Sequence, residues 1–128
     1  MPGIRQVTVA VKEWTGLSKQ RKVEIQLSED PIDLAGEGAP VQIQWNMDST
    51  SDQGWQFDLN GIRINGVGAR FSDDGRGDNG SGNPNRRYTW TRNTGDGQTY
   101  SYLISVTKTG ADNVTRTATW DPSIINQQ

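Results

Sequence analysis

The chain has no cysteine and no histidine among its 128 residues. These absences exclude disulfides, thiolate nucleophiles and zinc sites built from Cys and His ligands. Without histidine there is also no Ser-His-Asp triad and no imidazole base. Adjacent acids such as Asp73-Asp74 do not make an acid–base dyad unless a cleft brings them to a substrate. We therefore expect a protein that is not an enzyme, and keep a carboxylate-based enzyme as the last alternative.

The chain also lacks an excess of positive charge and any long apolar run. Its 13 basic and 15 acidic residues give a net charge of −2, which argues against a general nucleic-acid surface. No stretch approaches the roughly 20 apolar residues of a membrane span. The first residues lack the pattern of a secretion signal, so the expected location is cytoplasmic by default.

What the chain does have is alternation of apolar and polar residues with period two, the pattern of half-buried β-strands. The alternating sets are Val7/Val9/Val11, Val23/Ile25/Leu27, Val41/Ile43/Trp45, Trp55/Phe57/Leu59, Tyr88/Trp90, Tyr100/Tyr102/Ile104/Val106 and Val114/Arg116/Ala118/Trp120. Asn60-Gly61 predicts a two-residue hairpin turn between Leu59 and a returning strand that begins with Ile62 and Ile64. No helical pattern occurs. The sequence predicts one all-β domain over residues 1–128, an antiparallel β-sandwich of seven to eight strands.

One stretch interrupts the alternation. Ser72 to Arg87 reads SDDGRGDNGSGNPNRR, rich in Gly, Asp and Asn and without a large apolar side chain. Such residues favour solvated turns. We interpret it as a long Gly/Asp-rich loop at one end of the sandwich.

A short motif resembles the immunoglobulin-like family. Asp96-Gly-Gln-Thr-Tyr100-Ser-Tyr102 is similar to the D-x-x-x-Y-x-C segment that opens strand F of those domains. The resemblance implies that Tyr100 is the tyrosine-corner residue and that Tyr102 takes the place of the second cysteine. It also implies that Ile25 replaces the first cysteine on strand B and that Trp45 is the strand C tryptophan. The implied fold is an immunoglobulin-like sandwich without the disulfide.

The end of the chain resembles a second group. Residues 120–126, WDPSIIN, are similar to the ending of small uncharacterised bacterial sandwich proteins of the DP-EP type. This resemblance implies no activity, because a fold alone does not specify a function.

The acidic residues near the predicted loops suggest a cation site as one alternative. If strand order is immunoglobulin-like, the loops carrying Asp73, Asp74, Asp78 and Asp112 could meet at one end of the sandwich. Calcium takes six to eight oxygens from carboxylates and carbonyls, so these four are the candidate ligands. The calcium loop motif itself is missing, and a plain solvated loop explains the same residues.

Function is expected to be binding or structural, through protein–protein contacts or self-association at exposed edge strands or end loops. A carbohydrate-binding module is a further alternative, because flat aromatic rings can stack on sugar faces. The candidate rings are Tyr88, Trp90, Trp120 and Trp14. Aromatic residues on strands more often belong to the core.

Overall fold

The computed structural model describes residues 3–15, 21–37, 40–47, 54–66, 68–77, 85–109, 113 and 115–126. Within these ranges the chain forms ten β-strands and no α-helix, which confirms the all-β prediction. The strands are β1 (Gly3–Thr15), β2 (Arg21–Leu27), β3 (Ile32–Asp33), β4 (Val41–Met47), β5 (Gln56–Ile64), β6 (Phe71–Gly77), β7 (Arg87–Arg92), β8 (Gln98–Thr109), β9 (Thr115–Trp120) and β10 (Ser123–Asn126). A 3₁₀ turn, Gly68–Arg70, leads into β6.

The strands form two sheets. The first sheet has the order β2-β1-β4-β7-β6, and the second has the order β3-β10-β8-β5. In the second sheet, β9 also pairs with β8, on the side away from β5, so that β9 and β10 follow one another along β8.

The predicted antiparallel arrangement of seven to eight strands is wrong in two respects. Ten strands are present in the described residues, and two neighbouring pairs, β1 with β4 and β3 with β10, are parallel, so both sheets are mixed. Alternation shows which side chains point inward, but it carries no information about the direction of a neighbouring strand. Strands as short as β3 and β10 also give too few residues for a periodic signal.

The inner faces of the two sheets meet in one hydrophobic core. Trp45 on β4 and Tyr102 on β8 face each other from opposite sheets, with ring centroids 5.4 Å apart. The indole Nε1 of Trp45 donates a hydrogen bond of 3.2 Å to the Tyr102 hydroxyl. Burial of each large apolar side chain contributes about 1.5–3 kcal/mol to folding, so this face-to-face packing is the main source of stability.

The pairing corrects two positions that the immunoglobulin resemblance implied. Strand C of that fold is in the same sheet as strand F. Trp45 is instead on β4, which pairs with β1 and β7 in the sheet opposite the Tyr102 strand. Ile25 lies on β2, an edge strand whose one neighbour in the sheet is β1, whereas strand B is internal. The spacing of apolar residues could not distinguish these strands, because it is the same on every inward face.

The predicted hairpin at Asn60-Gly61 is also wrong. β5 runs through these residues, and its pairing with β8 shifts register between Phe57 and Ile62. Such a bulge turns Leu59 into solvent. A Cβ on Gly61 would lie 2.9 Å from the carbonyl oxygen of Asp58, so glycine is needed here for a close backbone approach rather than for a turn.

The predicted loop from Ser72 to Arg87 is shorter than expected. Ser72–Gly77 belongs to β6, and Arg87 is the first residue of β7. β6 is an edge strand, exposed along most of its length, so it needs almost no apolar residues and gives no alternating signal. Residues 78–84 of the loop lie outside the described residues.

Candidate functional site

The four predicted calcium ligands do not all fall in the described residues. Asp73 and Asp74 are neighbours on β6, whereas Asp78 and Asp112 lie outside the described part. Asp73 accepts a hydrogen bond from the Tyr88 hydroxyl at 3.0 Å, and Asp74 accepts one from Thr91 Oγ1 at 2.6 Å. Tyr88 and Thr91 point to opposite faces of β7, so the two carboxylates diverge.

Across the described ranges, no three Asp, Glu, His or Cys side chains lie together as a metal site would need. The calcium hypothesis therefore depends on Asp78 and Asp112 and stays a prediction.

The Asp73–Tyr88 pair is a partly buried contact beneath β6. Burial raises the pKa of Tyr88, and the hydrogen bond and negative charge of Asp73 raise it further. The hydroxyl therefore stays protonated and keeps donating to Asp73 throughout the physiological pH range.

The four predicted sugar-stacking rings have different positions. Tyr88 and Trp90 are core residues, with 1% and 7% of their surface exposed, and cannot offer a ring face to a ligand. Trp120 is 49% exposed at the end of β9. The side chain of Trp14 lies outside the described residues. Of the described rings among these four, Trp120 is therefore the one that can contact a partner.

A polar network closes one end of the sandwich around Asp96. The carboxylate accepts hydrogen bonds from the Tyr100 hydroxyl, from the Asn126 side chain at 3.0 Å and from the Gln98 amide at 2.9 Å. Arg70 forms an ion pair with it at 2.7 Å. Burial raises the pKa of Asp96, but these partners outweigh burial and hold the pKa below its ordinary value. Its lone pairs are already engaged, so Asp96 is a structural group.

Arg92 extends this network into the interior and is a buried charged residue that was not predicted. Its side chain is 1% exposed and donates to Asn126 Oδ1 at 3.0 Å and to the carbonyl oxygen of Glu37 at 2.9 Å. Burial lowers the pKa of Arg92, opposed by the charge of Glu37. The burial of Arg92 could have been predicted from the alternation along β7, because Arg92 continues the inward series of Tyr88 and Trp90.

The edges of the sheets differ in how they are protected. Unpaired strand edges can pair with other chains, and proteins block them with charges, bulges, short strands or covering segments. β6 carries Asp73, Asp74 and Arg76, and a register shift at Gly75, where φ is +86°, bends it. The Arg76 Nη1 also donates to the carbonyl oxygen of Phe57 at 3.0 Å, which ties β6 to β5.

The same contacts protect the edge of β5. The Phe57 amide donates to the carbonyl oxygen of Asn85 at 2.8 Å, and the bulge interrupts the rest of the strand. β3 is two residues long. β2 carries two basic residues and one acidic residue in its seven positions. Each of these edges has at least one recognised device against pairing.

β9 has fewer of these devices. Its sequence, TRTATW, contains no proline, glycine or acid, and one basic residue, Arg116. It pairs with β8 over six consecutive positions without a register shift. Within the described residues no other strand pairs with β9, although β2 packs near it from the first sheet. A regular strand rich in Thr, with an exposed Trp120 at its end, is suited to accept another strand.

Comparison with known proteins gives no match, since no protein-family model, curated protein or solved structure is significantly similar to this chain. In the ranges that the structure describes, no helix has the length and apolar character needed to cross a lipid bilayer.

Proposed function

We propose that this chain is a non-enzymatic binding module with an immunoglobulin-like sandwich, and that it acts through protein–protein contacts at the outer edge of β9. The observation that carries the proposal is the contrast between this regular edge and the blocked edges of β2, β3, β5 and β6. Strand addition at such an edge gives affinity through main-chain hydrogen bonds and specificity through side chains on alternate positions.

Strand order supports the immunoglobulin-like part of the proposal. The run β4-β7-β6 has the order of strands B-E-D, and the facing run β10-β8-β5 has the order G-F-C. The hydrogen bond from Tyr100 to Asp96, four residues upstream, resembles a tyrosine corner, although it ends on a side chain rather than on the backbone. β1 takes the place of strand A beside β4 but departs from the pattern by running parallel to it, and β2 extends the sheet by one further strand.

A second copy of the chain is the partner that fits this edge best. Two β9 strands can pair antiparallel about a two-fold axis through Ala118, which sets residues 116–120 of one copy against 116–120 of the other. Thr117 then lies opposite Thr119, and Arg116 lies opposite Trp120 of the second copy. A cation over an indole face is favourable, and covering Trp120 removes an exposed apolar surface.

A neighbouring register is less favourable. An axis through Thr117 would leave Trp120 beyond the paired residues, and an axis through Arg116 would oppose two positive charges. We therefore expect the Ala118 register.

Two matched double variants test the proposal. Thr117→Lys with Thr119→Lys sets like charges opposite each other twice in the dimer, whereas Thr117→Lys with Thr119→Glu sets opposite charges there. Both positions are exposed, so the two variants should fold alike. Analytical ultracentrifugation should show a monomer for the first variant and dimer for the second. Wild-type protein that stays monomeric up to millimolar concentration would contradict self-pairing.

Cysteine cross-linking tests the register, because the chain has no cysteine of its own. Ala118→Cys places two thiols beside the two-fold axis, and mild oxidation should give a covalent dimer. Thr115→Cys is the control on the same strand, since its two copies would lie six positions out of register, roughly 20 Å apart. Cross-linking at residue 115 but not at residue 118 would show a different pairing.

A further inference from the structure

The second sheet also contributes to a polar cleft, distinct from the β9 edge, where β5 and β6 approach each other. The cleft has a volume of about 490 Å³ and is open to solvent. Its polar lining comes from Asn60, Arg63 and Asn65 of the β5 region and from Asp73 of β6, with Trp90 in the wall. Volumes of this size are typical of sites for small ligands.

Two groups in the cleft are held in fixed positions. Asp73 accepts from the Tyr88 hydroxyl at 3.0 Å through Oδ2 and from the Gly75 amide at 2.9 Å through Oδ1. Each carboxylate oxygen has a further lone pair, so Asp73 can still accept from a ligand. The Trp90 indole donates to the carbonyl oxygen of Ile62 at 2.9 Å, which fixes the wall of the cleft.

Two other groups of the cleft differ from these, as far as the described residues show. Arg63 and Asn60 are exposed, and neither side chain has a hydrogen-bond or ion-pair partner among the described residues. The side-chain amide of Asn65 donates a hydrogen bond of 3.1 Å to Ser101 Oγ, which orients the Asn65 side chain. The cleft thus combines a fixed acceptor with two donors that can adjust to a ligand.

The charges of the cleft select the kind of ligand. One guanidinium and one carboxylate cancel, so neither an anion nor a cation is favoured overall. A hydroxyl group both donates and accepts, and neighbouring hydroxyls can therefore bridge the Asp73 carboxylate to the donors of Arg63 and Asn60. We propose that this cleft binds an uncharged polyhydroxylated ligand, a neutral monosaccharide unit.

This site differs from the aromatic platform expected from the sequence. Trp90 contributes a buried wall instead of an exposed ring, and the recognition is by planar polar side chains. The proposal does not depend on self-association through β9, because none of its residues is on that strand.

The experiment is a titration of isotope-labelled protein with a panel of neutral monosaccharides at up to tens of millimolar, followed by amide and indole NMR signals. Sodium phosphate, ammonium chloride and calcium chloride at equal ionic strength are the ionic probes. At least one sugar should shift the side-chain amides of Asn60 and Asn65 and the indole signal of Trp90, and the ionic probes should not.

The variants Arg63→Met and Asn60→Ala should each weaken that binding at least tenfold. Lys12→Met is the control, since it removes one positive charge from β1 in the other sheet, and it should leave the affinity unchanged. Failure of every sugar to shift the cleft signals would overturn the proposal. A stronger response to phosphate, or to either cation, would overturn it in favour of a charged ligand.

Discussion

β6 and β9 are both edge strands, but they use their large aromatic residue in opposite ways. Phe71 of β6 is 4% exposed and packs edge-to-face on Tyr100, with ring centroids 5.6 Å apart. Trp120 of β9 is about half exposed, and its indole donates to Asp30 at 3.3 Å on the surface. One edge is therefore part of the molecule's own packing, and the other leaves apolar surface exposed to solvent. The difference shows that edges of one sandwich can be specialised separately.

Alanine at each aromatic position should separate the two roles. Phe71→Ala removes a buried ring and should lower the free energy of unfolding by about 3–5 kcal/mol, without changing the association of the remaining folded protein. Trp120→Ala should cost under about 1 kcal/mol of stability yet weaken dimerisation at least tenfold. Urea unfolding and sedimentation give the two quantities. A large stability loss at Trp120 would show that β9 is anchored like β6.

Alkaline pH should destabilise the folded protein through its tyrosines. The three tyrosines of the chain all have a raised pKa in the folded protein, through burial for Tyr88 and Tyr102 and through the hydrogen bond to Asp96 for Tyr100. Unfolded tyrosine titrates near pH 10, so this share of stability is complete below about pH 10 and is lost as the pH rises toward the folded values.

Tyrosinate absorbance at about 295 nm and urea unfolding at each pH measure this loss. Tyr88→Phe should reduce the slope of stability against pH above about pH 10, because one of the three contributions is gone. An unchanged slope would mean that Tyr88 titrates normally in the folded protein.

Arg76→Ala should loosen the tie between β6 and β5. The variant loses the hydrogen bond from Arg76 to the Phe57 carbonyl, for an expected cost of about 1–2 kcal/mol, toward the lower end because the side chain is exposed. Amide hydrogen exchange should then rise at β6 and stay unchanged at β9. Lys12→Ala on β1 is the control for loss of a cation, and it should leave exchange at β6 unchanged.

Gly75→Ala is the smallest change and tests the bulge alone. At φ +86° an alanine is strained by roughly 1 kcal/mol, although a Cβ there would meet no atom within 4 Å. We expect that modest loss of stability by thermal unfolding and no self-association through β6. New oligomers would indicate that the strand had straightened and that the bulge was its main protection.

Much of the core could be predicted from the sequence, because inward positions repeat every second residue. Val7, Val9 and Val11, and likewise Tyr102, Ile104 and Val106, are fully buried as their phase indicated. Strand direction could not be predicted, since the parallel pairing of β1 with β4 depends on contacts between distant segments. β6 was not predicted as a strand, because an exposed edge strand needs few apolar residues and so shows no alternation.

The β9 edge and the polar cleft were harder to predict from the sequence than the core. Trp120 was one of four candidate rings, but the alternation along its strand predicts the same inward orientation for Trp120 as for Ala118. Its exposure follows from its place on an edge strand, which only the pairing reveals. In the cleft, Arg63 and Asp73 come from separate strands, and their proximity depends on the approach of β5 to β6.

The parallel pair of β3 and β10 has a consequence for the time course of folding. Ile32 pairs with Ile124, so these two strands join segments that are far apart in the sequence. Closing so long a loop costs entropy before any contact compensates for it, and folds rich in distant contacts reach the native state slowly. We therefore expect β10 to dock late in folding, and the groups that Asn126 contacts at that end of the sandwich to stay hydrated until it does.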